Sequence, residues 1–159
     1  MKKQIQAFKI ILISVSFSFV ASCFATDQKN PAKTEAKAEA KPKSIYQRLG
    51  GQPAIDAAVE LFYKKVLADK SVNHFFDDIN INKQRAKQKQ FLAAAFGGPV
   101  PYTGKDMRKA HAHLDLKESD FNTIAGHLQA TLQELKINDK LIGEVMAVAA
   151  STKDEVLNK

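Results

Sequence analysis

The chain of 159 residues has room for one modest domain plus a terminal extension. Its hydrophobic content of 45% suits a globular protein, and abundant Ala, Leu, Lys, Gln and Glu without alternating β-branched runs predict helices and argue against a sheet protein. The net charge of +7 gives no grip on nucleic acid: residues 1–43 hold eight lysines against three acids, residues 44–159 sixteen Lys/Arg against fourteen acids, and the basic run Lys83–Gln90 has no interleaved aromatic residue.

Residues 1–22 have the pattern of a secretory signal peptide. Two lysines follow Met1, and the apolar stretch Ile10–Ala21 is too short to span a membrane comfortably. The only cysteine, Cys23, follows Val20-Ala21-Ser22, and the string VASC resembles the bacterial lipobox, in which the cysteine is lipidated and becomes the new N-terminus. The expectation is an exported protein of the cell envelope, lipid-anchored to a membrane through Cys23 and facing the periplasm or the outside. Cleavage after Ala25, leaving a soluble periplasmic protein, is the alternative. On either route the mature domain has no disulfide and no Cys-ligated metal. The Ala/Lys/Glu/Pro tract that completes residues 23–43 has almost no bulky apolar residue, cannot bury a core, and is expected to be a flexible tether.

Residues 44–159 read as an all-α domain. Ser44 and Gln47 fit a capping box, and Gly50-Gly51 stop the short helix that follows. Pro53 opens a strongly amphipathic helix whose apolar stripe runs Ile55, Ala58, Val59, Phe62, Tyr63, Val66 and Leu67. A turn carrying His74-Phe75-Phe76 leads to a helix from about Asn82 to Phe96, stopped by Gly97-Gly98-Pro99. Phe91, Leu92 and Ala95 define its inward face, and one and two turns earlier that face lands on Gln88 and Gln84. Helices follow over Phe121–Leu135 and from Leu141 to Val156.

Between them lies RKAHAHLDL. Taken as one helix over Lys105–Leu116, it puts Met107, Ala110 and Leu114 on one face with His111 in their midst. His113 falls about 200° away, toward solvent. A buried imidazole needs a hydrogen bond or a metal, and a backbone carbonyl would suffice. Three further polar residues on core stripes, Tyr63, Gln84 and Gln88, each cost about 1–3 kcal/mol if left unpaired. They call for one another or for a shared polar ligand. His127 lies about 120° off its own stripe and His74 sits in a turn, so both read as surface residues. With no zinc spacing and no paired carboxylates, a single inward histidine beside an apolar pocket suits haem, whose porphyrin supplies the other four ligands.

From Ile45 to about Leu157 the chain resembles a group I truncated haemoglobin. The resemblance rests on YQRLGG, LFYKKVLAD, HFF, KQKQFLAAAFGGP, YTGKDMRKAH, GHLQATLQEL and EVMAVAAS, in that order and spacing. It implies a two-over-two helical sandwich, a shortened globin, around one haem b per chain. It also implies roles. His111 is the proximal ligand of the haem iron and Phe76 packs on the haem face. Tyr63 donates a hydrogen bond to dioxygen, with Gln84 and Gln88 as the distal-helix pair. Lys87 reaches a haem propionate, and Met107, Phe91 and Leu92 line the pocket. The implied function is reversible binding of O2 and other diatomics such as CO and NO. Conversion of nitric oxide to nitrate is a further implied activity, and it needs an electron donor. Two other readings remain open: a redox or peroxidase-like haem protein, and a haem-free helical interaction lipoprotein whose inward polar groups satisfy one another.

Overall fold

Ser44 starts the first helix as its spacing to Gln47 requires. In the computed structural model, which describes residues 41–159, the Gln47 amide donates to Ser44 Oγ at 3.2 Å and the Ser44 amide donates to Gln47 Oε1 at 3.1 Å. This capping box opens α1 (Ile45–Leu49), which ends at Gly50 in the left-handed region with φ 111°. The expected signal peptide, the expected lipidation at Cys23 and most of the expected tether lie outside the described residues. Lys41–Lys43 are exposed and in no helix.

The second helix, α2 (Gln52–Ala68), buries Ile55, Ala58, Val59, Phe62, Tyr63 and Val66, the stripe that the sequence spacing predicts. Each such large apolar side chain contributes about 1.5–3 kcal/mol when fully removed from water. A 3-10 turn, Asn73–Phe76, carries the Phe pair. Asn80 then caps α3 (Ile81–Ala95), its side chain accepting from the Lys83 amide at 3.0 Å. Asp106 caps α4 (Met107–His111) in the same way, accepting from Lys109 at 2.8 Å. The remaining helices are α5 (Glu118–Glu134), α6 (Asp139–Ser151) and α7 (Lys153–Val156). Among the described residues there is no strand, and no helix is long and apolar enough to cross a membrane.

The four long helices form two pairs: α2 packs on α3, α5 packs on α6, and α2 packs on α5. That is a two-over-two arrangement. Between the layers the core joins Ile55, Val59, Phe62, Tyr63 and Val66 to Leu92, Phe96, Leu132, Ile142 and Val145. Beside it an apolar pocket of about 180 Å³ is walled by Ala58, Leu92, Phe96, Leu128 and Leu132.

The second glycine pair has a steric cause. The start of α1 docks against the end of α3, with the Tyr46 amide donating to the Phe96 carbonyl at 2.8 Å. Gly97 adopts φ 78°, and a Cβ on it would stand 2.9 Å from the Ser44 Cβ. A Cβ on Gly98 would stand 2.6 Å from the Ala93 carbonyl oxygen, a backbone atom that cannot step aside. Gly98→Ala is therefore expected to destabilise the domain by about 1–3 kcal/mol, the usual cost of overpacking. Urea denaturation followed by helicity checks this, and an unchanged midpoint would contradict the crowding.

Three expectations are corrected here. The helix predicted over Lys105–Leu116 is only α4, five residues long. The chain turns after His111, with the Leu114 amide donating to the His111 carbonyl at 3.0 Å and Asp115 in the left-handed region at φ 47°, where a right-handed helix cannot continue. Ala95 is exposed, and the buried run on α3 is Leu92, Ala93 and Phe96. Three successive alanines carry no directional signal, so the stripe through Phe91, Leu92 and Ala95 had the wrong rotation at its C-terminal end. The last predicted helix breaks at Thr152 into α6 and α7.

Candidate functional site

His111 is the last residue of α4 and is half-buried. Its Nδ1 lies 2.8 Å from the Met107 carbonyl oxygen, one helical turn back. A carbonyl can only accept, so Nδ1 is the donor in this bond and Nε2 is the ring nitrogen left for another partner. The backbone-carbonyl alternative is thus present, but it uses one ring nitrogen only. A hydrogen bond of this kind fixes the tautomer and orientation of a metal-binding imidazole. Met107, expected as a pocket-lining side chain, acts on His111 through its backbone. Among the described residues no three His, Cys, Asp or Glu side chains gather to hold a metal ion. A metal at His111 must bring its own ligands, as haem does. The residues present therefore fit haem.

His113, separated from His111 in the sequence by one residue, is exposed, as expected, although the helix used to place it ends before reaching it. With Phe75, Ile79 and Leu114 it lines an open cleft of about 630 Å³ between the Phe pair and the turn after α4.

Tyr63 sits on the buried face of α2, 2% exposed. Its ring is edge-on to Phe62, with centroids 5.2 Å apart, and edge-on to Phe76 at 5.7 Å. Burial pushes its hydroxyl pKa up, and the smaller opposing influences are Gln84 at the hydroxyl and the Arg85 cation. The hydroxyl therefore stays protonated, and a donor, throughout the neutral range. Gln84 and Gln88 are half-buried on α3, one turn apart on the same side. Phe91 is half-buried and edge-on to Tyr102 at 5.5 Å. Leu92 belongs to the core and to the wall of the apolar pocket, and Lys87 is exposed.

Ring contacts join Tyr63 to Phe62 and Phe76, the Arg85 cation stands over the Tyr63 ring, Gln84 acts at the Tyr63 hydroxyl, and a hydrogen bond joins His111 to Met107 in a separate group. Sequence reasoning missed Arg85. A signal was there to read: Asp56 and Glu60 are four residues apart on α2, and Arg85 and Lys89 are four apart on α3. Each spacing puts two like charges on one side of its helix, and two such sides of opposite sign attract. Glu60 meets Lys89 at 2.8 Å and Arg85 at 3.4 Å.

His127 is a further correction. It is not a solvated residue of α5, because its Nε2 lies 2.8 Å from Asp69 Oδ2 and only 23% of its side chain is exposed. Asp69 ends α2 and also accepts from the Ser71 hydroxyl and amide. The hydroxyl, the amide and then His127 hold the Asp69 pKa at about 2, below its ordinary 3.8. A carboxylate with a lowered pKa adds stability above its ordinary pKa and loses it as pH falls toward the folded value. Asp69→Asn is therefore expected to be less stable at neutral pH and to lose less further stability between pH 4 and pH 2. Acid unfolding curves of the two proteins check this, and parallel curves would contradict it.

Comparison with known proteins agrees with the fold. The family model for Bacterial-like globin matches residues 44–158. A group 1 truncated haemoglobin of Tetrahymena thermophila is 44% identical over 119 residues, covering 75% of this chain and 98% of that protein. A group 1 truncated haemoglobin of Synechocystis sp. is 45% identical over 122 residues, covering 73% and 98%. Among solved structures, the truncated haemoglobin of Tetrahymena pyriformis in its Fe(III) form superposes with a TM-score of 0.71 at 44% identity, covering 74% of this chain and 100% of that one. Variants of that protein replacing one tyrosine or one of two glutamines have also been solved, and those positions have the same spacing as Tyr63, Gln84 and Gln88. The cofactor of such globins is haem, and their ligands are diatomic gases such as dioxygen. The chain belongs to the bacterial-like globin family, among the group 1 truncated haemoglobins.

Proposed function

We propose that this domain holds one haem on His111 and binds dioxygen reversibly, with Tyr63, Gln84 and Gln88 supplying the donors. The observation that carries the reading is the Met107–His111 contact of 2.8 Å, which leaves Nε2 as the free ligand nitrogen of an imidazole with no other metal ligands gathered nearby. Haem held by His111 would supply the iron that takes a diatomic gas. The chain supplies the rest. Phe76 is positioned against Tyr63 and offers an apolar face. The protonated Tyr63 hydroxyl and the two amides are fixed donors for the partial negative charge on the outer atom of the gas. The tyrosine and glutamine spacing shared with the Tetrahymena pyriformis variants supports that assignment.

The test is an absorption spectrum of the purified full chain after haem reconstitution and reduction, recorded without gas, with O2 and with CO. Distinct, reversible spectra support the reading. A protein that takes up no haem sinks it, and one that is oxidised at once by O2 favours the redox alternative.

The proposal extends to nitric oxide. A donor-rich pocket that retains dioxygen favours its reaction with nitric oxide to give nitrate, and each turnover consumes one electron that a separate donor must return. Nitrate produced in step with nitric oxide lost would support this, and slow consumption without nitrate would refute it. The proposal also has a place: VASC at the end of the apolar stretch supports export and a lipid anchor on Cys23 at the cell envelope. Incorporation of labelled palmitate tests the anchor, and its absence leaves the soluble periplasmic alternative.

A further inference from the structure

Arg85 follows Gln84 on α3. Its guanidinium carbon stands over the Tyr63 ring, 6.0 Å from the centroid, within the range at which a cation is drawn to an aromatic face. Its Nη1 reaches Glu60 Oε2 at 3.4 Å, and its Nε is buried with no hydrogen-bond acceptor among the described residues. An arginine serving only to strap two helices together gains most from a two-point fork on a carboxylate. Here one long contact holds the outer nitrogen, and the buried side of the guanidinium is left to the aromatic ring. The charged groups of α2 and α3 around this contact are Asp56, Glu60, Arg85 and Lys89, with Lys89 2.8 Å from Glu60 and 3.9 Å from Asp56.

We infer that Arg85 is a positioning residue of the distal side: its cation, resting over the Tyr63 ring and partly offset by Glu60, makes the Tyr63 hydroxyl a stronger hydrogen-bond donor to the gas ligand. The inference rests on the reading of Tyr63 as that donor. A positive charge beside a phenol favours its electron-rich, ionised form and so sharpens the acidity of the O–H. The direction of the Arg85 influence on Tyr63 agrees with this.

Two substitutions separate charge from packing. Arg85→Met removes the cation and keeps an unbranched side chain. Glu60→Gln keeps the cation and removes its counter-charge. Both cut the Arg85–Glu60 pair, and Glu60→Gln also releases Lys89, so a purely structural Arg85 moves both variants the same way, whereas an electrostatic one moves them in opposite directions. The readout is the midpoint of the tyrosinate absorbance titration in a Tyr46→Phe/Tyr102→Phe background, where Tyr63 is the sole tyrosine. The expected result is a higher midpoint in Arg85→Met and a lower one in Glu60→Gln. The C–O stretch of the reduced protein under CO, which reports the local field, should shift in opposite directions too. Oxygen release should be about two- to fivefold faster in Arg85→Met and slower in Glu60→Gln. If Arg85→Met does not fold, Glu60→Gln alone decides by whether its midpoint falls, with Arg85→Lys expected to stay near the parent. Shifts of one sign, or none in a folded protein, overturn the role of Arg85. An unchanged oxygen release rate in Tyr63→Phe overturns the donor reading instead, and the two failures are therefore distinguishable.

Discussion

Replacing His111 with glycine is expected to leave a helical protein that no longer retains haem, and imidazole added to the solution is expected to restore it. The fold does not depend on the side chain: α4 is five residues long, and His111 lies outside the core that joins α2, α3, α5 and α6. On the proposed reading the cofactor does depend on it, and among the described residues no cluster of donors is gathered that could hold a metal instead. Loss of even an outer partner of a metal-bound histidine costs about 10- to 100-fold in affinity. Loss of the histidine itself should exceed that range. Imidazole rescue separates the two ways the variant could fail, since a small molecule can replace a missing ligand but cannot repair a misfolded helix. The measurement is the haem absorbance retained after gel filtration, with far-ultraviolet circular dichroism as the control. Retention equal to the parent without imidazole would remove His111 from its role.

Tyr63→Phe should speed oxygen release by about tenfold or more with little change in melting temperature. The ring contacts to Phe62 and Phe76 survive the substitution, so packing is kept. What is lost is one hydroxyl donor in a dry site. A hydrogen bond to a charged partner is worth about 1.5–3 kcal/mol net, and about 1.4 kcal/mol is tenfold in rate. Gln84 and Gln88 remain as amide donors, which holds the effect toward the lower end. Stopped-flow displacement of oxygen by CO reads the rate directly. A change of less than twofold would mean that the glutamines, not the tyrosine, hold the ligand.

Much of this was legible in the sequence, and the reasons differ by element. The stripe on α2 could be read because it is long, bulky and strictly periodic, and every residue of it through Val66 is buried. Ser44 and Gln47 could be read because a capping box is a local pattern whose partners lie three residues apart. His111 could be singled out from His113 even with the helix drawn too long, because one turn of α4 sufficed to place it. The end of α4 was not legible. It depends on Asp115 taking a left-handed conformation, a choice made by the turn that follows and not by helical period. The pairing of His127 with Asp69 was hidden for another reason: those residues are 58 positions apart, and only the packing of α2 on α5 brings them together. Lys87 could be carried over by resemblance alone, and the side chain is exposed and directed by no partner that the sequence marks.

The helix that carries His111 is too short to stand by itself, since isolated helices of fewer than about 12–15 residues are marginal in water. It leans on α7. Arg108 of α4 donates to the Lys159 carbonyl at 2.9 Å, while Lys153 pairs with Glu118 just beyond the turn. Fraying of α7 would therefore remove support from the segment that carries His111. During synthesis the same link imposes an order. Residues 153–156 follow every other described helix in the chain, so α4 gains this support only once they have been made.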